Sequence, residues 1–189
     1  MLTAAVYQLT KDKNLTADPN NSSFSIQTGE IRSRGIELEA KAAVNANVNV
    51  TASYTYTDAQ YQHDTTFNGK RPAEVPRNMA SLWADYTFHE TALSGLTVGA
   101  GARYVGSTVS YYKNDTSTGK KDDSFNVAGY ALMDATVKYD LARFGLPGSS
   151  IGVNVNNLFD REYVSSCYSE YACYWGAERQ VVATATFRF

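Results

Sequence analysis

Apolar and polar residues alternate along much of this chain with a period of two. Residues 180–189 show the pattern most clearly, with a single interruption at Val182. The apolar set there is Val181, Ala183, Ala185, Phe187 and Phe189. Successive side chains of a β-strand point to opposite faces, so the pattern predicts a strand with one apolar and one polar face. Because a soluble protein rarely offers a final Phe to water, whereas lipid accepts it, we expect a strand of a transmembrane β-barrel.

The same alternation predicts eight strands in all. Their approximate bounds are 2–11, 34–44, 48–60, 79–88, 96–109, 127–141, 151–158 and 178–189. Most of them have the length that a tilted strand needs to cross a bilayer. The connections 45–47, 89–95 and 142–149 are short, whereas 12–33, 61–78, 110–126 and 159–177 are long and polar. Outer-membrane barrels have short periplasmic turns and longer extracellular loops, so the topology is self-consistent.

The charged residues of the predicted strands fall on the face opposite the apolar residues. They include Glu37, Glu39, Lys41, Arg103, Asp134, Lys138 and Asp140. A soluble β-sandwich would also alternate, but its core needs more bulk than the Ala-rich apolar face supplies. The pattern therefore favours a barrel whose polar face lines a wet lumen. Gly99 and Gly101 on that polar face either allow a close approach of another chain segment or mark only a bend.

The composition narrows the class further. A mean hydropathy of -0.36 and a hydrophobic content of 43% resemble those of a soluble protein. No run of about 18 apolar residues exists, which excludes helical membrane spans. Tyr is frequent, at 14 residues, and Pro is scarce, at 4, as expected for barrel strands with aromatic girdles. The net charge of -2 gives no electrostatic footprint for nucleic acid.

Two motifs near the end of the chain resemble a known family. Residues 155–163 read VNNLFDREY, and residues 177–189 read AERQVVATATFRF. This pair is similar to the C-terminal end of TonB-dependent receptors, the outer-membrane transporters of ferric siderophores. The stretches GEIRSRGIELEAKAAV, ASYTYTDA, MASLWADYTF and CYSEYACYWGA resemble the hydroxamate branch that includes the ferrichrome receptor. The resemblance covers nearly the whole chain.

The resemblance implies a receptor in the bacterial outer membrane rather than an enzyme. Such receptors are similar to a closed barrel of about 22 strands with a plugged lumen. TonB energises the uptake of the ferric siderophore by acting on the plug, and iron enters as cargo rather than as a cofactor. Residues 1–189 are then expected to be the C-terminal third of the barrel, without plug, N-terminal strands or export signal, either as a truncated product or as a fragment. The last strand, with Val181, Ala183, Ala185, Phe187 and Phe189, resembles the signal read by the barrel-assembly machinery.

The last long connection contains the residues that we expect to bind ligand. Cys167 and Cys173 are the only cysteines, and in an oxidising exterior we expect a disulfide, which the family also carries in this loop. A metal site is disfavoured because no His is adjacent. In ferrichrome-type receptors the aromatic residue after the first loop cysteine, Tyr168 here, lies in the external siderophore pocket. Further candidates are Tyr171, Tyr174 and Trp175; alternatively, these rings belong only to the interfacial girdle.

The sequence also suggests further partners and allows alternative functions. Basic loop residues can meet lipopolysaccharide phosphates or simply be solvated: Lys70, Arg71, Arg77, Lys113, Lys120 and Lys121. The spacing of Asp115, Asp122 and Asp123 matches no cation-binding loop. The family resemblance also implies extracellular loops at which phages or bacteriocins dock. One alternative is a self-standing eight-stranded barrel with a structural or adhesion role, closed by pairing residues 2–11 with 178–189. An outer-membrane enzyme is disfavoured because no His and acid accompany a candidate Ser.

Overall fold

The chain folds almost entirely into antiparallel β-structure. The computed structural model describes residues 1–18, 20–21, 23–65, 67–90, 92–111 and 124–188. It contains the strands β1 Leu2–Ala17, β2 Ser25–Ala43, β3 Val48–His63, β4 Asn78–Thr87, β5 Leu96–Val105, β6 Thr108–Tyr111, β7 Ser124–Val127, β8 Tyr130–Asp140, β9 Ser150–Asn156, β10 Val164–Ser169, β11 Ala172–Trp175 and β12 Gln180–Thr186. A short 3-10 helix, Ala142–Phe144, lies between β8 and β9. Within the described ranges, no helix is long and apolar enough to cross a membrane.

Eight of these strands form one continuous sheet. Its hydrogen-bonded order is β1-β2-β3-β4-β5-β8-β9-β12, so β1 and β12 lie at its two edges. Every neighbouring pair is antiparallel. Across the described residues no ladder joins β1 to β12, which is the pairing that a self-standing eight-stranded barrel requires. The remaining strands form two separate hairpins, β6–β7 and β10–β11.

The register of the sheet separates an apolar face from a polar face. One row of directly paired residues crosses the sheet as Leu2, Ala40, Ala52, Leu82, Ala102 and Met133. These apolar side chains are open to the surroundings: Leu2 is 78% exposed and Leu82 54%. Among the described residues only four apolar side chains are buried, namely Ala59, Val127, Leu132 and Cys167. A soluble sandwich would bury this face, so the apolar side faces lipid instead.

Aromatic side chains mark two levels on the apolar face. At the level of the short turns, Tyr86 and Phe88 pack edge to face with ring centroids 4.7 Å apart. At the opposite level lie Tyr54 and Tyr104, exposed by 39% and 45%. Between the levels β3 runs from Val48, the partner of Tyr86, to Tyr54, which is about 20 Å along the strand. The apolar residues between the two aromatic levels form the lipid-facing band.

The predicted strands differ from the observed ones mainly outside this band. Strand β1 ends six residues later than predicted, β2 begins nine residues earlier and β3 ends three residues later, because the hairpin ladders continue into segments expected to be loops. The predicted strands 96–109 and 127–141 each break into two. Both breaks lie at a point where the backbones of the two strands come close to each other. A Cβ on Gly129 would lie only 2.7 Å from the carbonyl oxygen of Val105. Phe189, expected to end the last strand, lies outside the described residues.

The expectation that charges occupy a single face is wrong at one place. Arg34 and Asp58 are direct partners on the apolar side of the sheet, one step beyond the pair Ile36 and Tyr56. The Nε and Nη2 atoms of Arg34 donate to Oδ2 of Asp58 at 3.1 and 3.0 Å. Because the pair lies beyond Tyr54 and the aromatic level that it marks, it lies where the lipid-facing band gives way to a polar environment. The rule of one charged face holds only within the band.

On the polar face, a tryptophan ring covers the two glycines of β5. Trp83 on β4 pairs directly with Gly101, and its ring also lies beside Gly99. A Cβ on Gly101 would meet Cε3 of Trp83 at 2.5 Å and the carbonyl oxygen of Leu82 at 2.6 Å. The glycines therefore allow a close approach, which was one of the two expectations from the sequence.

We predict that Gly101→Ala destabilises the sheet by about 1–3 kcal/mol, because the added methyl group displaces the Trp83 ring. The measurement is urea unfolding of the receptor that contains this chain. The folded fraction at each urea concentration is read from the heat-dependent mobility shift of folded barrels on gels. Gly152→Ala is the matched control, since its Cβ would meet nothing closer than 3.3 Å. Equal unfolding midpoints for the two variants would contradict the packing argument.

Candidate ligand-binding surface

The long connection between β9 and β12 folds into the hairpin β10–β11. Cys167 and Cys173 face each other in its ladder and form a disulfide with an S–S distance of 2.01 Å. The Cys167 side of the hairpin is buried, at 3% exposure, and β10 packs against β6 and β7 of the other hairpin. The two hairpins therefore form one layer at the end of the sheet opposite the short turns. The expected disulfide is confirmed.

The hairpin brings together the four aromatic residues that the sequence suggested as ligand contacts. Their exposures are 72% for Tyr168, 85% for Tyr171, 58% for Tyr174 and 73% for Trp175. Tyr174 pairs with Ser166, and Trp175 pairs with Val164, so these two lie along β11. All four rings are open on a short, cross-linked hairpin outside the main sheet. Tyr54, Tyr86 and Tyr104 of the two aromatic levels, by contrast, lie on strands of the main sheet.

The two ends of this connection, residues 157–163 and 176–179, are joined by one asparagine. We call these two segments the neck of the hairpin. Asn157 is 2% exposed and has a φ of 52°, in the left-handed region that Asn tolerates better than most residues. Its Oδ1 accepts a hydrogen bond from the backbone N–H of Arg161 at 2.9 Å. Its Nδ2 donates to the carbonyl oxygens of Arg161 at 2.9 Å and of Ala177 at 3.2 Å. One buried amide therefore holds both chain segments of the neck.

Two further hydrogen bonds join the outgoing and the returning segment of the neck. The backbone N–H of Arg179 donates to Oδ1 of Asp160 at 2.7 Å. The backbone N–H of Gly176 donates to the carbonyl oxygen of Tyr163 at 2.8 Å, and the Tyr163 ring lies against Gly176 where any Cβ would clash. These contacts of the neck were not predicted from the sequence. The available signal was the Asn and Asp of VNNLFDREY, since both residue types favour tight turns.

On the polar face of the sheet, Arg103 of β5 and Asp134 of β8 form an ion pair. Nε of Arg103 donates to Oδ2 of Asp134 at 2.8 Å, and Nη2 donates to Oδ1 at 3.2 Å. The same Oδ1 also accepts the backbone N–H of Asn157 at 2.9 Å. Two of the charges on the polar face are therefore paired with each other.

A second aromatic cluster lies outside the membrane band and was not predicted. The Phe67 ring centroid is 5.8 Å from that of Tyr61 and 4.8 Å from that of Tyr111. The Nζ atom of Lys70 lies 5.9 Å from the centre of Phe67 and 5.7 Å from that of Tyr111, within the range of cation–π attraction. The hydroxyl of Tyr111 donates to the carbonyl oxygen of Arg71 at 2.6 Å. This cluster joins the β3–β4 connection to β6.

The basic residues of the β3–β4 connection are held by neighbours. Nη2 of Arg71 donates to the carbonyl oxygen of Val75 at 3.0 Å, and Arg77 lies 3.9 Å from Asp58. Burial lowers the pKa of the Arg71 guanidinium, and nearby Arg77 lowers it further. Burial raises the pKa of the Tyr111 phenol, and Tyr61 adds to that increase. The expectation of simple solvation is wrong for Lys70 and Arg71; Lys113, Lys120 and Lys121 lie outside the described residues.

The described residues contain no group of three or more His, Cys, Asp or Glu that would hold a metal ion. Asp115, Asp122 and Asp123 lie outside the described part of the chain. The surface instead consists of aromatic rings on a rigid support, with ion pairs below it. Such a surface offers ring faces and hydroxyls to an amphipathic ligand.

Comparison with known proteins identifies the family. A family model described as "TonB dependent receptor-like, beta-barrel" matches residues 1–158. The chain belongs to this TonB-dependent receptor family. It is therefore part of a bacterial outer-membrane protein, and the expectation of an all-β, antiparallel barrel segment is confirmed.

Similar proteins are siderophore receptors. The chain is 60% identical over 189 residues to the ferrichrome outer membrane transporter/phage receptor of Escherichia coli K12, covering 100% of this chain and 24% of that protein. It is 40% identical over 188 residues to the ferrioxamine B receptor of Salmonella typhimurium LT2, covering 98% of this chain and 25% of that receptor. The chain thus spans about a quarter of the length of these curated relatives.

Two solved receptor structures share the fold of this chain. The ferric-catecholate import receptor Fiu of E. coli K12 superposes with a TM-score of 0.72 at 26% identity, covering 100% of this chain and 25% of Fiu. The siderophore receptor PiuA of Acinetobacter baumannii gives a TM-score of 0.74 at 26% identity, covering 98% of this chain and 26% of PiuA. The chain therefore has the same fold as the corresponding quarter of these two receptors.

We predict that replacing both cysteines, as Cys167→Ser with Cys173→Ser, makes the hairpin more sensitive to protease. Closing so short a loop constrains the unfolded hairpin by about 2 kcal/mol in the chain-entropy model. The measurement is a proteolysis time course on the membrane-embedded receptor, with cuts mapped by mass spectrometry. Cuts should accelerate between Val164 and Trp175 and leave β8 and β9 intact. Unchanged cutting of the hairpin would show that its packing on β6–β7 suffices without the disulfide.

Proposed function

We propose that this chain is the C-terminal barrel portion of an outer-membrane receptor for ferric hydroxamate siderophores of the ferrichrome type. The observation that carries the proposal is the disulfide-linked hairpin, which presents four open aromatic rings above the sheet. The similarity to a ferrichrome transporter over the full chain supports the ligand class. The 40% sequence identity to a ferrioxamine B receptor points to the same hydroxamate class of ligand.

The ligand is proposed to contact the hairpin through ring faces. A ferric siderophore is a large amphipathic complex, and Tyr and Trp supply wide contact area at small cost in side-chain entropy. The disulfide and the contacts at the neck reduce that cost further, because they order the hairpin before the ligand arrives. Tyr168 is the first candidate, since it follows Cys167 directly; Tyr171, Tyr174 and Trp175 are the others.

Uptake in this proposal requires no catalytic residue in the chain. Binding at the external surface captures the complex, and TonB acts on the plug of the complete receptor to release it inward. Strands from the rest of the receptor are proposed to pair with the edges β1 and β12, which closes the barrel. Residues 1–189 therefore form a single structural portion of the barrel rather than a separate domain, and iron is cargo.

Lipopolysaccharide is the proposed neighbour on the outer rim of the lipid-facing side. Arg34 and Arg77 share the carboxylate of Asp58 there, with contacts of 3.0 and 3.9 Å, so two cations face one anion. The remaining positive charge suits a phosphate group of an anionic glycolipid. The named relative is also a phage receptor, and the exposed hairpin is the proposed docking surface for a phage or a bacteriocin.

We predict that Tyr168→Ala weakens binding of a ferric hydroxamate to the intact receptor by about tenfold, as expected when one buried ring contact of about 1.4 kcal/mol is lost. Tyr168→Phe should bind nearly as the wild type does, because it keeps the ring. The measurement is equilibrium titration by quenching of intrinsic fluorescence.

Phe24→Ala is the matched control, since Phe24 is an aromatic residue of another loop and is 64% exposed. It should leave the affinity unchanged. If Tyr168→Ala and Phe24→Ala both bind as the wild type does, Tyr168 has no part in the site.

A further inference from the structure

We infer that Asp134 and Asn157 are positioning residues, which fix the external hairpin to the Arg103 side chain on the polar face of the barrel. The inference rests on the proposed function in so far as the hairpin is taken to bind ligand. It assigns to the VNNLFDREY segment the role of setting where the aromatic rings stand. No contact with the ligand is required of either residue.

The first step of the connection is the carboxylate of Asp134. It accepts three hydrogen bonds, two from the guanidinium of Arg103 and one from the backbone N–H of Asn157. The Asp134 side chain is only 18% exposed, so water competes weakly for these donors. Hydrogen bonds to a charged acceptor are stronger than neutral ones. The carboxylate thus links β5 and β8 to the residue at which the chain leaves β9.

The second step is Asn157 itself. Its backbone is held on one side by Asp134, and the adjacent N–H of Leu158 donates to the carbonyl oxygen of Met133 at 2.7 Å. Its buried side chain binds the Arg161 backbone on the outgoing segment and Ala177 on the returning one. A single side chain therefore fixes both segments of the neck relative to β8. Moving the neck would leave a buried amide without partners, which is costly.

The third step is the rigid arm beyond the neck. The Tyr163 ring lies against Gly176 and 4.2 Å, centroid to centroid, from the ring of Tyr130, the first residue of β8. The disulfide then joins the two strands of the hairpin. Because each segment of this arm is cross-linked, a displacement at Asn157 is carried to the ring-bearing end of the hairpin rather than absorbed along the way.

The test is hydrogen–deuterium exchange, followed by mass spectrometry, on the full-length receptor purified in detergent. The main variant is Asn157→Gly, because glycine adopts the observed φ of 52° without strain and removes only the side-chain bonds. Asp134→Asn keeps the shape but removes the charge. Asp85→Asn is the matched control, since Asp85 lies on the same polar face and accepts a hydrogen bond from Asn49.

We expect amides of residues 163–176 to exchange about tenfold faster in Asn157→Gly, with a smaller increase in Asp134→Asn, and no change in Asp85→Asn. Amides of β8 and β9 should exchange as in the wild type, and affinity for a ferric hydroxamate should fall in parallel. Unchanged exchange in residues 163–176 would overturn the inference. So would a uniform increase over all strands, because it would show a general loss of stability instead.

The same experiment separates this inference from the proposed function. If the wild-type receptor binds no ferric hydroxamate, the ligand assignment fails, and the exchange of residues 163–176 still decides the positioning role. If binding is normal in the wild type and in Asn157→Gly while exchange accelerates, Asn157 orders the hairpin without setting its affinity, and the inference about positioning the site is wrong.

Discussion

The need to pair every backbone N–H and C=O group within lipid determines this structure. No water is available in the hydrocarbon region, so a spanning sheet must be continuous and ultimately without free edges. The eight strands of the main sheet meet the first condition, since each is hydrogen-bonded to its neighbours in one antiparallel order. Backbone pairing, rather than a packed core, is what holds the chain together, which is consistent with only four buried apolar side chains among the described residues.

The same constraint explains the choice of side chains. Small residues such as Ala are sufficient on a face that meets lipid, because lipid fills whatever space they leave. The polar face is more demanding, since a ring as large as Trp83 needs Gly99 and Gly101 to lie flat beneath it. Beyond the band, strands are free to carry charge on either face, as the Arg34–Asp58 pair shows. Stability and function are thus separated: the band supplies the frame, and the segments outside it carry the candidate ligand surface.

Alternation in the sequence was sufficient to predict the strands within the band, because lipid and lumen impose opposite demands on successive residues. The prediction lost accuracy outside the band, where both faces of a ladder are wet and no period of two is required. The β6–β7 and β10–β11 hairpins were missed for that reason. The disulfide was predicted from the two cysteines themselves, and Tyr168 was suggested by the family resemblance. Asn157 was missed because its hydrogen bonds go to backbone groups of Arg161 and Ala177 that composition does not reveal. The Tyr61, Phe67 and Tyr111 cluster was missed because it joins separate connections.

The central claim is that the protein containing this chain takes up ferric hydroxamates with energy from TonB. Uptake of radioactive iron, supplied as a ferric hydroxamate, tests it directly in cells that carry the full-length receptor as their only such transporter. The account predicts accumulation of iron in cells with TonB and surface binding without accumulation in cells that lack it. Equal accumulation in the two strains, or no binding in either, would contradict the account.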